Sequence, residues 1–376
     1  MAKLPFFLIL ISVPLIISHK GCYGKQPPQT PPPPPTTAAL FVFGDSIFDP
    51  GNNNYINTTT LDQANFLPYG ESYFAHPTGR FSDGRLISDF IAEHAKLPLI
   101  PPYLQPRNYQ YVQNYHGVNF ASAGAGALSQ TFEGLVIDLK RQLKYFKKEI
   151  GELRQKIGHD EAAKISSSAV YLLSIGSNDY MSPFLLNSTT LLASYPHSKY
   201  VHMVLGNLST VVKAIHRRGG RKFVFLNLGE LGCLPGMRIL KPETDGGGCL
   251  EEASNLAKLH NKALNDLLPK MEKQLHGFKY FLYDFRSNLA KKITQPLKYG
   301  FKEGEAACCG TGRFNAVFSC GGKRVVKEFQ VCENPSEYVF WDSYHLTERV
   351  NKQMADQMWN AASTERNSLK KLFLCF

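Results

Sequence analysis

A chain of 376 residues that is 43% hydrophobic can enclose a large core, which excludes a disordered protein. Its formal charge of +11 at pH 7 comes with no nucleic-acid-binding motif, so the charge points to polyanionic cell-wall or extracellular material rather than to DNA or RNA.

The first 24 residues read as a secretory signal peptide. Lys3 precedes the apolar run "PFFLILISVPLIIS", and small residues in "HKGCYG" supply a cleavage site near Gly24. That run is interrupted by Pro14 and is shorter than the ~20 residues a transmembrane helix needs; no later segment is apolar enough to span a bilayer. Removal of Lys3 and Lys20 lowers the charge to +9 (11 − 2). Residues 25–37, "KQPPQTPPPPPTT", form an extended proline-rich linker that cannot join a core. One domain is expected over residues 38–362, followed by a tail at 363–376. The tail's "LFLCF" reads equally as a docking segment or as ordinary packing.

Apolar runs and amphipathic stretches then alternate. "ALFVF" reads as a buried strand, "GRLISDFIAEHA" as a helix and "GVNFA" as a short strand. In "LKRQLKYFKKEIGELRQKI", Leu139, Leu143, Phe146, Ile150, Leu153 and Ile157 recur at helical spacing, which leaves the basic residues on a solvated face. "AVYLLSI", "KFVFLNL" and "KYFLYDF" are strands, and "VHMVLGNLSTVVKAIH" is a helix. A long helix at 251–275 carries Leu256, Leu259, Ala263, Leu267 and Met271 on one face, and "TERVNKQMADQMW" is the last helix. Continuous apolar strands separated by helices predict an α/β fold with a central parallel sheet covered on both sides. Functional residues of such sheets gather beyond the carboxyl ends of the strands.

Three sequons, at Asn57, Asn187 and Asn207, agree with a secreted, N-glycosylated protein. Eight cysteines fit an oxidising compartment; seven remain once Cys22 leaves with the signal (8 − 1), so at least one thiol is unpaired or bridges two molecules. Cys233 with Cys249, and Cys320 with Cys332, are the expected pairs, each closing a loop worth roughly 3 kcal/mol in the chain-entropy model. The adjacent Cys308 and Cys309 have no assigned partners. Without Cys-x-x-Cys or His-x-x-x-His spacing, structural disulfides rather than zinc are expected.

Four islands bear on chemistry. "LFVFGDSIFDPGNNNY" ends a strand at Ser46, where a nucleophile would stand if a base were present. "YVFWDSYHLTE" supplies that base, His345, with Asp342 placed to bind its other ring nitrogen. "NFASAGAGA" offers backbone N–H groups around Gly124, and "SIGSNDY" offers the Asn178 amide, both able to serve an oxyanion together with the Ser46 N–H. Each alone has a plainer reading: Asn178 as a turn cap, Gly124 as a close helix–sheet contact, His345 as a surface residue at a helix entry. The ordered set of four favours catalysis.

That set resembles the plant GDSL-type esterase/lipase family of the SGNH hydrolase superfamily, from about Leu40 to Trp359. "PTGRFSDGR" and "ACCGTGRF" join the match. The resemblance implies a flavodoxin-like three-layer domain, nucleophile Ser46, base His345 oriented by Asp342, and oxyanion donors from Ser46, Gly124 and Asn178. It implies a secreted serine esterase or lipase acting on acyl or lipid esters without a metal or organic cofactor. Ile47, Ala123 and Leu346 depart from the family's usual leucine, glycine and proline; the last implies a looser loop after His345. Two other functions fit the same residues: an acyltransferase passing the acyl group to an alcohol, and a non-catalytic glycoprotein that binds lipid or cell wall. "NYINTTTLDQANFLPYGESYF" and "YMSPFLLNSTTLLASYPHSKY" are the expected walls of an acyl pocket.

Overall fold

Runs such as LFVFG and VYLLS have no polar alternate positions, so they can settle only where both faces are covered. In the computed structural model, which describes residues 38–106, 115–187, 194–242, 247–361 and 368–374, they do so as neighbours in a five-stranded parallel sheet. The strands are β1 (Leu40–Gly44), β2 (Gly117–Asn119), β3 (Val170–Ser174), β4 (Lys222–Leu226) and β5 (Lys279–Tyr283), in the spatial order β2-β1-β3-β4-β5. Chain direction across the sheet reverses between β1 and β3, which leaves a crevice above their carboxyl ends. The expected signal peptide, the proline linker and Cys375 lie outside the described residues.

Helices cover both faces. α1 (Ile87–His94) packs with the last long helix, Glu348–Asn360, whereas α2 (Leu139–Ile157) packs with His197–His216, which in turn packs on Glu251–Gln274. α2 begins where the Asp138 side chain accepts the N–H groups of Lys140 and Arg141, and its Leu139, Leu143, Phe146, Ile150 and Leu153 are buried as the spacing predicts. Lys144, Lys147 and Lys148 face solvent.

The Glu251–Gln274 helix is rotated from its predicted face. Leu259 is 39% exposed, and the buried stripe runs through Ala253, Leu256, Ala257, His260, Leu264, Leu268 and Met271. The reason is His260, whose Nδ1 lies 2.9 Å from the Tyr180 hydroxyl; a polar residue in the core hid the true stripe.

The expected Cys320–Cys332 pair is overturned. Cys308 bonds Cys332 and Cys309 bonds Cys320, while Cys233 bonds Cys249. Successive residues of an extended chain point to opposite sides, so the adjacent cysteines must take different partners. The backbone agrees: Cys309–Gly310 pairs antiparallel with Gln330–Val331, and the Cys332 N–H donates to the Cys308 carbonyl at 2.8 Å.

Leu369 and Phe373 of the tail are buried in a short helix, Leu369–Leu374, that packs on Glu348–Asn360. The three sequon asparagines lie at the surface. No helix among the described residues is long and apolar enough to cross a membrane.

Candidate active site

β1 ends at Gly44, where a Cβ would lie 2.4 Å from the Ser174 carbonyl oxygen of β3, so only glycine lets the two strand ends approach. The Gln142 side chain fixes this end, accepting the Gly44 N–H at 3.0 Å and donating to its carbonyl at 2.8 Å. The chain then turns, with the N–H groups of Phe48 and Asp49 donating to the Asp45 carbonyl, and the turn lifts the half-buried Ser46 above the sheet.

His345 arrives 299 residues later, with Nε2 2.8 Å from Ser46 Oγ. Its Nδ1 lies 2.7 Å from Asp342 Oδ1 and 2.9 Å from Oδ2. A ring that donates from Nδ1 to a carboxylate leaves Nε2 free to accept a proton from the serine. Asp342 is wholly buried and also accepts the N–H groups of Tyr344 and His345 and the Tyr69 hydroxyl. Burial pushes its carboxyl up, but His345, the Tyr344 N–H and Tyr69 outweigh that and hold it below the ordinary value. Leu346 does not loosen the loop: its carbonyl accepts the Ser82 hydroxyl at 3.0 Å, and it bridges back to Phe340.

The residues after Ser46 have a second task that reading them as turn residues misses. Asn52 donates from Nδ2 to the carbonyls of Asn119 and Ala121, Asn53 donates to that of Ala123, and Asp49 accepts the Ala123 N–H at 2.9 Å. The asparagine run therefore braces the loop after β2 that carries Gly124. Ala123, where glycine is usual, is buried, donates its N–H to Asp49 and forms part of the cavity wall beside Gly124. Gly124 has φ +77°, and a Cβ on it would lie 2.5 Å from Asp62 Oδ1.

Asn178 sits in the first turn of the helix Ser177–Leu185, directly beyond β3, and donates one amide hydrogen to the Ala125 carbonyl at 3.0 Å. An amide carries two, so this bond orients the group and leaves a second N–H for the cavity it lines. Asp179 ties the same two loops together by accepting from the Ala127 and Leu128 N–H groups and the Thr131 hydroxyl.

Ser46, Gly124, Asn178 and His345 thus meet in one cavity of about 360 Å3, with Asp342 behind the imidazole. Apolar side chains dominate its walls. Leu61 and Asp62 come from the first segment expected there, and Met181, Leu185 and Leu186 from the second; residues 188–193 of the latter lie outside the described residues. Leu231, Leu234, Phe285, Leu289 and Phe318 also line it, and sequence reasoning gave them no role because no polar motif accompanies them. Tyr69, in the first of those expected segments, is not a wall of the cavity but donates its hydroxyl to Asp342, and Arg324, which donates to Tyr69, was given no role.

A parallel α/β sheet with a serine, a histidine and an aspartate hydrogen-bonded in series at its carboxyl edge, opening on an apolar cavity, has the parts of an enzyme that works through an acyl group on serine. The model of the GDSL-like lipase/acylhydrolase family matches residues 40–358. GDSL esterase/lipase 5 of Arabidopsis thaliana is 58% identical over 322 residues, covering 86% of this chain and 82% of its own. A GDSL lipase of Tanacetum cinerariifolium is 45% identical over 368 residues, covering 97% and 93%. The chain belongs to the GDSL-like lipase/acylhydrolase family. One relative, 36% identical over 86% of this chain and 71% of its own, is the inactive GDSL esterase/lipase-like protein 25 of Arabidopsis thaliana. Membership alone is therefore compatible with loss of activity, and the side chains of the site must carry the argument for it.

Proposed function

We propose that this protein is a secreted esterase or lipase that cleaves esters of hydrophobic acids through an acyl-enzyme on Ser46. The observation that carries the reading is the series Ser46–His345–Asp342, with contacts of 2.8 and 2.7 Å, at the mouth of an apolar cavity. Ser46 Oγ attacks the ester carbonyl carbon while His345 Nε2 takes the hydroxyl proton and Asp342 stabilises the imidazolium. The carbonyl oxygen becomes an oxyanion, received by the Ser46 N–H, the Gly124 N–H and the Asn178 amide, one such donor being worth about 2.7–4 kcal/mol. Collapse breaks the bond to the alcohol oxygen, which leaves with the proton from His345. Water then gives a proton to His345 as its oxygen attacks the acyl carbon; the bond to Ser46 Oγ breaks, His345 returns the proton to that oxygen, and the acid and free Ser46 are released.

The cavity supports an acyl chain as the occupant, at about 0.8 kcal/mol per buried methylene. Three disulfides, exposed sequon asparagines and the N-terminal leader pattern support export to an oxidising compartment. The net positive charge supports loose attachment to cell-wall polyanions; salt-sensitive retention on a polygalacturonate resin checks this, and flow-through at low salt removes it.

Fluorophosphonate labelling of the purified protein tests the chemistry. Wild type is expected to label and to release free acid from p-nitrophenyl esters, whereas Ser46→Ala and His345→Ala do neither. Equal labelling of all three proteins would sink the assignment.

A further inference from the structure

We propose that Tyr69 and Arg324 are positioning residues for the Asp342–His345 pair, forming with it one buried hydrogen-bonded line that ends at Ser46. The inference rests on the catalytic reading above.

Asp342 Oδ2 accepts the Tyr69 hydroxyl at 2.7 Å, across 273 residues of sequence, and neither side chain is exposed. Burial holds the Tyr69 phenol well above its ordinary value, so it keeps its proton and donates it to the carboxylate. The phenol oxygen then has lone pairs to offer, and Arg324 Nη2 donates to it at 3.0 Å. Arg324 is itself fully buried; it donates from Nη1 to the Thr60 carbonyl, and its guanidinium carbon lies 3.9 Å from the Phe318 ring centroid. Phe318 in turn packs on Tyr344 and His345.

No carboxylate among the described residues forms an ion pair with Arg324, although a buried cation is costly without a negative partner. The carboxylate that feels its charge is Asp62, and the Arg324 hydrogen bond orients the Tyr69 hydroxyl that donates to Asp342. Asp342 thus receives its donors from two sides: backbone N–H groups and His345 on Oδ1, and the phenol on Oδ2, which sets the plane of the carboxylate that the imidazole must match. The pair is faced by Tyr69, Tyr344, Arg324 and Asp62, the last feeling both His345 and Arg324.

The phenol also sets how strongly the carboxylate holds a protonated ring. Deprived of the Tyr69 donor, the Asp342 anion holds the imidazolium more tightly, and the base is lost at a higher pH. Neither Tyr69 nor Arg324 touches the reacting atoms, so KM should be spared.

The test compares kcat and KM across pH for wild type, Tyr69→Phe, Arg324→Lys and Arg324→Met, with Ser46→Ala as reference and p-nitrophenyl butyrate as substrate. Tyr69→Phe is expected to lower kcat about tenfold with KM within about twofold, and to move the acid limb of kcat/KM up by roughly half a pH unit or more. Arg324→Met is expected to do the same, and Arg324→Lys to recover part of the loss. An acid limb and kcat within about twofold of wild type in Tyr69→Phe overturn the inference, as does a fall in kcat with the acid limb unmoved, which is a packing effect. Activity retained by Ser46→Ala overturns the catalytic reading instead. Tyr69→Phe deletes a single oxygen, so it keeps the test open should the arginine variants fail to fold.

Discussion

Asp49 accepts three backbone N–H groups, those of Gly51 at 2.8 Å, Asn52 at 2.6 Å and Ala123 at 2.9 Å, while itself fully buried. The carboxylate is the joint between the turn that carries Ser46 and the loop that carries Gly124. Asp49→Ala leaves these N–H groups buried without an acceptor, at about 1–3 kcal/mol each. The variant is expected to lose about 3 kcal/mol or more in denaturant unfolding, and its fluorophosphonate labelling at temperatures where it stays folded should slow. Unchanged stability would mean that water replaces the carboxylate. Ser46, Asp342, His345, Gly124 and Asn178 could be picked out as candidates because polar residues and glycines gather within about five positions of the ends of apolar strands. Asp49, Tyr69 and Arg324 were not: their partners lie 74, 273 and 255 positions away, and none of the three stands in a nucleophile, base or oxyanion pattern that would name its partner, as Ser46 names a histidine 299 positions on.

The segment from Cys309 to Cys332 shows the same limit at the level of elements. Its cysteines were visible, but the pairing depends on which side of the chain each one faces, and the flanking strands are too short to declare a periodicity. The five apolar strands and the long helices were legible because burial on both faces, or along one stripe, writes itself into composition. Cys309–Cys320 closes a separation of 11 residues, just before Arg324, with Phe318 inside the loop. Replacing both cysteines by alanine removes roughly 3 kcal/mol of chain-entropy stabilisation and frees the segment that seats Phe318 and Arg324 against the site. Thermal unfolding is expected to drop, and kcat should fall even well below the new midpoint. If kcat holds at such temperatures, the loop positions Arg324 without help from this bond.

Across the whole domain, the spatial order β2-β1-β3-β4-β5 puts Ser46 beyond β1 and Asn178 beyond β3, on either side of the point where the chain reverses direction across the sheet. Closing so much polar chemistry over a sheet edge buries carboxyl groups, and that sets how stability follows pH. Burial raises Asp45 to about 7 and Asp49, Asp62 and Asp179 to about 6. For a group raised on folding, the stabilising contribution is complete below the unfolded value near 3.8 and disappears as pH rises through the folded one. These four acids therefore favour the folded state more at mildly acidic than at alkaline pH. His260 opposes them: burial depresses it to about 3, so between 6.5 and 3 the unfolded chain takes a proton that the native core refuses. Four raised acids outweigh one depressed histidine through the window from about 4 to 7. The thermal midpoint is accordingly expected to be higher at about pH 5.5 than at about pH 8, and His260→Gln, which keeps a polar side chain for Tyr180, should widen the difference by removing the opposing group. A midpoint that rises from about pH 5.5 to pH 8 in the wild type would mean that the buried carboxyls are ionised in the folded protein, held by their backbone donors rather than by protons.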